Sequence, residues 1–263
     1  MIDILPRTDP FSSGLPTMEC VVCKSATKVI KEDTYACTSC SHIYRDYKGD
    51  SIKFHEKAYR NKDNKQFHRV SGEINPDGSI NNRFHEARKT IVSNRVQKIK
   101  QFLSKDDVVL DVGAGAGTFA VALKDYVASI DCLEVAESLT KECKRLGFET
   151  YENDFLIENI EKEYDSIVCF HVLEHIKDIE SFVGKILRKV KKYVIIEVPT
   201  TRCFFGSTGK IRRLHSPNDG SYDGHCHYFT KESLVLLFEK HFKIISVQNG
   251  VQAPAILLIG EKR

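Results

Sequence analysis

The stretch Asp107-Val-Val-Leu-Asp-Val-Gly-Ala-Gly-Ala-Gly-Thr-Phe119 constrains this chain more than any other. Val108, Val109, Leu110 and Val112 form the short apolar run of a strand buried on both faces, as in the centre of a parallel sheet. The run stops at Gly113, Gly115 and Gly117, and a helical apolar pattern starts at once with Phe119, Ala120 and Leu123. Backbone without Cβ can approach a ligand closely, so strand, glycine turn and helix together make a binding loop. The spacing is Gly-x-Gly-x-Gly. A dinucleotide fingerprint would need Gly-x-Gly-x-x-Gly and a phosphate-binding Walker loop a Gly-Lys-Ser/Thr, and the stretch has neither. The plainer alternative is a glycine turn that only ends a buried strand.

The loop resembles the first motif of the class I S-adenosylmethionine-dependent methyltransferases, an acid followed by Gly-x-Gly-x-Gly. Asp111, Gly113, Gly115 and Gly117 match it position for position. The resemblance implies an α/β, Rossmann-like sheet, mostly parallel with one antiparallel strand, and a cofactor lying against Asp111, Gly113, Ala114, Gly115 and Gly117. Downstream, Ser129–Glu134 reads as a second strand ending in an acid. A carboxylate there can accept both hydroxyls of a ribose, with Glu134 the better placed candidate and Asp131 the alternative. Leu139–Leu146 reads as a helix stopped by Gly147, followed by a brief strand over 148–151. Asp154 then matches the family position that bonds the adenine amine, with Phe155 as an apolar neighbour for the ring; an exposed loop acid is the alternative. Tyr164–His171 reads as a further strand. Its continuation, Phe170-His-Val-Leu-Glu-His-Ile176, resembles the post-strand motif of methyltransferases that act on quinones, sugars and other small molecules. That places Phe170 and His171 beside the cofactor and Glu174 and His175 at the carboxyl end of the sheet, where ligands bind in open α/β folds.

Upstream, Cys20-Val-Val-Cys23 and Cys37-Thr-Ser-Cys40 are separated by thirteen residues. Two such knuckles read as a zinc ribbon. Four thiolates close a tetrahedron with no open position, so the Zn²⁺ would be structural and would supply the folding free energy of a fragment too small for its own core. A redox dithiol is the alternative. Cys132, Cys143, Cys169, Cys203 and Cys226 lack ligand spacing and read as packing residues. Nine cysteines, an odd number, argue against a disulfide framework. With no secretory signal at the start and no apolar run of about 18 residues, the expected location is cytoplasmic, with no membrane partner.

The 263 residues divide into an arm over 1–17, the ribbon over 18–45, a helical or loop cap over 46–83, and the methyltransferase domain over 84–263 with an insertion at 200–229. The cap closes on the turn signal Asn75-Pro-Asp-Gly78. Val92, Val96, Ile99 and Leu103 form a one-sided helical stripe ahead of the glycine-loop strand. Beyond the insertion, a helix capped by Thr230 and two closing antiparallel strands over 242–248 and 255–259 complete the fold.

Net charge is +3, yet between Arg45 and Lys105 there are 15 Lys/Arg against 7 Asp/Glu. A solvated helical face or an acidic partner would explain that tract. The insertion adds Arg202, Lys210, Arg212 and Arg213, then Ser221-Tyr-Asp-Gly-His-Cys-His-Tyr-Phe-Thr230. This last run is similar to the motif after the fifth strand in zinc-ribbon methyltransferases of sugar biosynthesis. In the deoxysugar C-methyltransferases of that group it reads roughly Tyr-His-Glu-His; here Tyr222 and His225 are kept and Gly224 replaces the Glu. The expectation is therefore O-methylation of a small anionic or nucleotide-linked acceptor such as a sugar precursor, leaving S-adenosylhomocysteine. His225 is the first candidate base, His175 the second and His227 the third, with Tyr222 beside them. Three alternatives stand: deoxysugar C-methylation, a nucleic-acid-binding or RNA-modifying protein that grips backbone through the ribbon and the basic tract, and an inactive cofactor-binding subunit. The sequence sets no oligomeric state.

Overall fold

The computed structural model describes residues 18–31, 33–46, 75, 79, 81–201, 224–252 and 254–263. The arm, most of the cap segment with positions 76–78 of its turn, Tyr222, Cys203 and the basic residues Arg202, Lys210, Arg212 and Arg213 lie outside the described residues.

A small antiparallel sheet comes first: β1 (Thr27–Lys31), β2 (Thr34–Cys37) and β3 (Ile43–Arg45). Helix α1 (Asn82–Ile99) follows. The Asn81 side chain caps its start by accepting from the Phe84 amide at 3.2 Å. Val92, Val96 and Ile99 are the buried face of α1, as the stripe predicts, whereas Leu103 falls beyond its end.

The main sheet then builds outward from β4 (Val108–Val112), with α2 (Thr118–Leu123), β5 (Ser129–Leu133), α3 (Glu137–Arg145), β6 (Thr150–Tyr151), β7 (Tyr164–Phe170), α4 (Ile179–Lys189) and β8 (Val190–Pro199). After β9 (His227–Tyr228) come α5 (Lys231–Phe238), β10 (Phe242–Asn249) and β11 (Ala255–Lys262). The order across the sheet is β10-β11-β8-β7-β4-β5-β6; β4 to β8 run parallel and β11 runs against both of its neighbours. Val109, Leu110, Ile167, Val168, Ile195 and Ile196 are fully buried on its two faces, where complete burial of one such side chain stabilises by about 1.5–3 kcal/mol. Thr230 caps α5 through a reciprocal box with Ser233. Among the described residues, no helix is long and apolar enough to cross a membrane.

The insertion over 200–229 ends in β9, which pairs with β3 as the fourth strand of the small sheet. The N-terminal module is thus completed by chain from the far end of the sequence.

Candidate active site

The carboxyl ends of β4, β5, β6 and β7 lie side by side along one edge of the parallel part of the sheet. The loop after β4 turns because Gly113, Gly115 and Gly117 all take positive φ (76°, 57° and 73°), which side chains resist. The Gly113 and Ala114 amides both donate to the Leu133 carbonyl, at 2.8 and 3.1 Å, which ties the loop to the end of β5. Beside it, Glu134 accepts from the Gly115 amide at 3.0 Å and from the Val135 and Ala136 amides at 2.8 and 2.9 Å. The acid therefore shapes the loop, and a ribose at this tip would share Glu134 with Gly115. The competing candidate Asp131 is occupied elsewhere: it accepts from Lys162 and from the Tyr164 hydroxyl, both at 2.8 Å, and is buried.

Asp111 lies beneath the loop, buried, with Oδ2 lacking a partner among the described residues. Burial pushes its carboxyl up to about 7 against the pull of the Arg95 charge, and nearby Glu134 adds to the rise. Asp154 sits half-buried after β6 and organises its own turn, accepting from the Leu156 amide at 2.8 Å. Phe155 needs correcting. Its ring is 2% exposed and packs edge-to-face on Phe182, so it belongs to the core and is closed to an adenine.

At the end of β7 a buried chain of charge appears that the sequence motif did not spell out. Phe170 packs edge-to-face on Phe119 and lies under the Arg95 guanidinium. Arg95, from α1, donates to Glu197 Oε1 through Nε and Nη2 at 3.1 and 2.5 Å. His171, at φ 58°, stands between two acids, with Nδ1 3.2 Å from Glu174 and Nε2 3.1 Å from Glu197. Both neighbours are carboxylates that only accept, so both ring nitrogens carry protons and the ring is an imidazolium. Burial alone would lower the His171 pKa; the two carboxylates outweigh it and hold it at about 9. Burial would likewise raise both acids. Instead, His171 with His175 and His225 holds Glu174, and His171 with Arg95 holds Glu197, each at about 2. Arg95 and Glu197 carry no sequence signature, being distant in the chain and joined only by the fold.

His175 stands next in line. Its Nδ1 lies 3.0 Å from the Gly224 carbonyl, which can only accept, so Nδ1 carries a proton, and in the neutral ring the lone pair is then at Nε2. That Nε2 is 4.0 Å from Glu174, and His225 packs edge-to-face on the ring at 4.7 Å. Donor atoms of Glu174, His175 and His225 all lie within 4.8 Å of one another, a cluster able to share one proton or one cation. His227 does not join them. It is 2% exposed, with Nδ1 3.1 Å from His42 and Nε2 3.4 Å from the Lys177 carbonyl, which removes the third candidate base. Buried Cys132, Cys143, Cys169 and Cys226 sit in the core as packing residues.

The ribbon cysteines do come together. Cys20 and Cys40 Sγ are 3.8 Å apart and Cys23 and Cys37 Sγ 3.4 Å, near the edge of about 3.8 Å for a tetrahedron with 2.3 Å Zn–S bonds. The two knuckles are built alike. The residue after each second cysteine, Lys24 and Ser41, takes positive φ, and backbone amides of Val22, Ser39 and Cys40 donate to Sγ atoms. Amides aimed at sulfur favour thiolate, so the donor set fits a structural Zn²⁺.

Residues 84–246 match the family described as a methyltransferase domain. A 106-residue stretch is 31% identical to the ubiquinone biosynthesis O-methyltransferase of Hydrogenovibrio crunogenus, covering 37% of this chain and 44% of that protein. Another stretch of 106 residues is 31% identical to the ribosomal protein L11 methyltransferase of Caldicellulosiruptor bescii, covering 38% and 34%. The chain thus spans less than half the length of these curated relatives. The fold is similar to the magnesium protoporphyrin IX methyltransferase of Synechocystis PCC 6803 solved with bound S-adenosylmethionine: TM-score 0.53, 14% identity, 83% of this chain and 99% of that one. It is also similar to the PH0226 protein of Pyrococcus horikoshii OT3: TM-score 0.58, 15% identity, 75% and 99%. At these identities the likeness to solved structures is one of fold.

Proposed function

The chain belongs to the methyltransferase domain family, and on that premise we propose that it is an S-adenosylmethionine-dependent enzyme that methylates an oxygen of a small, anionic or nucleotide-linked acceptor such as a sugar precursor. The observation that carries the proposal is the placement of Glu174, His175 and His225 together at the carboxyl end of β7, next to the glycine loop. The donor supplies a methyl already activated by its sulfonium. The chain's own residues supply position and a place for the acceptor's proton. Gly113 to Gly117 and Glu134 hold the donor's adenosyl end. His175, its Nε2 lone pair set by the Gly224 carbonyl, takes the proton of an acceptor hydroxyl, and Glu174 stabilises the imidazolium that results. His225 against the same ring orients the acceptor or serves as the base itself; His175, whose Nδ1 proton the Gly224 carbonyl accepts, moves ahead of it. Cys20, Cys23, Cys37 and Cys40 hold a structural Zn²⁺.

Oxygen as the acceptor atom agrees with the names of the ubiquinone-pathway relatives, although one relative is named for a ribosomal protein. Deoxysugar C-methylation is weakened because Gly224 offers a carbonyl where that group carries a carboxylate. A nucleic-acid grip is weakened because Arg45 and Arg95, two of the basic-tract residues, point inward and are buried. The test incubates zinc-loaded protein and labelled methyl donor with sugar nucleotides, phosphorylated metabolites and RNA at low and high salt. Label on a hydroxyl of a small anionic molecule supports the proposal. Label only on RNA, with a steep loss of binding in salt, overturns it.

A further inference from the structure

The segment 224–230 is a bridge with two loaded edges. One edge meets the ribbon. Tyr44 pairs with His227 and Ile43 with Tyr228 across the β3–β9 ladder, and the Arg45 amide donates to the Cys226 carbonyl at 2.8 Å. The Thr230 hydroxyl donates to the carbonyl of Cys40 at 3.0 Å, and His42 Nε2 lies 3.1 Å from His227 Nδ1 with the rings stacked. His42 belongs to the second knuckle itself, since its carbonyl accepts from the Cys37 amide at 2.8 Å. The other edge meets the candidate catalytic turn. The Cys226 amide donates to the Glu174 carbonyl at 2.7 Å, and His175 Nδ1–H donates to the Gly224 carbonyl at 3.0 Å. His225 lies between these two anchor points in the chain.

A ladder of two residues cannot hold itself; its geometry comes from what it pairs with. From this placement we infer that the ribbon positions the acceptor-side histidines, with His42 and His227 as the positioning pair that links the thiolate cluster to His175 and His225. The donor side is built separately. Among the described residues, the loop amides of Gly113, Ala114 and Gly115 bond to Leu133 and Glu134, all within the main sheet. Loss of the metal therefore releases the acceptor side and spares the donor pocket. The inference rests on the functional reading above only for what the two histidines do; the mechanical link does not depend on it.

Hydrogen exchange of the full chain tests the link without needing the acceptor. When a chelator removes zinc, verified by metal content, amides of 224–230 and 173–176 should lose protection by about tenfold or more. Amides of 108–136 should keep theirs, and S-adenosylhomocysteine should bind within about threefold of its affinity for the zinc-loaded protein. Persistent protection of 224–230 without zinc overturns the inference, and so does an equal loss across 108–136, which marks general unfolding. On zinc-loaded protein, His42→Leu should loosen 224–230 and broaden the ¹³C-histidine signals of His175 and His225, and His42→Gln, whose amide reaches the Nε2 position, should restore both. His227→Leu against His227→Asn repeats the comparison from the other side, should His42→Leu fail to fold. If the leucine variants of both positions match the wild type, or the amide variants are no better than the leucines, the pair has no positioning role.

Discussion

Gly113→Ala is expected to strike the fold through one identifiable contact. A Cβ built on Gly113 lies 2.2 Å from Val172 Cγ2, more than an ångström inside ordinary contact, and the backbone there has φ 76°. Holding alanine in the left-handed region costs about 1–2 kcal/mol, and forcing the overlap apart adds about 1–3 kcal/mol. The sum, about 2–5 kcal/mol, corresponds to roughly 4–20 °C in Tm for a domain of this size. The two contributions separate in a double-mutant cycle. With Val172→Ala the new methyl meets only Val172 Cβ, at 3.6 Å, so the overlap disappears and the backbone strain remains. The double variant should therefore recover about 1–3 kcal/mol relative to the sum of the single changes, read from denaturant midpoints. Donor affinity, measured by calorimetry on each variant that folds, should recover in step. A coupling energy near zero would refute the reasoning, because Gly113 would then be glycine for some reason other than the room Val172 takes.

Gly115→Val places a branched side chain on the loop amide that Glu134 holds, and should abolish donor binding by calorimetry while the fold persists by circular dichroism. His175→Ala and His225→Ala should leave donor affinity unchanged and lower acceptor turnover; about 10²- to 10⁴-fold is expected for whichever is the base, and unchanged turnover in both would remove proton transfer from this cluster. The pH dependence of stability should carry the mark of His171. Its pKa is raised from about 6.5 to about 9, so the stability it contributes is whole below 6.5 and is lost as pH rises through 9. Glu174 and Glu197, lowered from 4.5 to about 2, contribute above 4.5 and lose their share as pH falls toward 2. Unfolding free energies from urea titrations should fall between pH 6.5 and 9 by on the order of 2–3 kcal/mol more in the wild type than in His171→Gln; parallel curves would mean the imidazolium is not held as the geometry implies.

Local signals and distant ones were not equally legible. The glycine loop, the β4 run and the two cysteine knuckles could be read because each is contiguous, so that period, turn chemistry or ligand spacing acts within a few residues. Glu134 could be read against Asp131 only as a strand-tip preference. What separates them in space is that Asp131 finds Lys162 and Tyr164, 31 and 33 residues on. Phe155 is ambiguous in sequence because an aromatic after an acid looks alike whether it turns to the strand ends or to Phe182. His227 is ambiguous for a related reason. It lies two residues after His225, a spacing that puts both on one face of a strand, but β9 begins only at His227, so the strand period does not carry over to His225. What His227 meets is His42, 185 residues earlier.

The burial of two acids explains what Arg95 does on α1, far in sequence from the turn after β7. Glu174 and Glu197 are both fully buried, and two unneutralised carboxylates at that depth would take up protons. One cation between them, His171, balances only one. Arg95 brings the second charge from a helix that packs across α2, and lays its guanidinium over Phe170 while reaching Glu197. Arg95 and His171 share Glu197, and Glu174, 3.2 Å from His171 Nδ1, remains a carboxylate facing His175 rather than a neutral acid. The helix that supplies Arg95 also begins beside the donor loop, where His85 Nδ1 lies 3.1 Å from the Thr118 hydroxyl. Displacing α1 would consequently disturb both halves of the reaction, the seat of the donor through Thr118 and the ionisation of Glu174 through Arg95, Glu197 and His171.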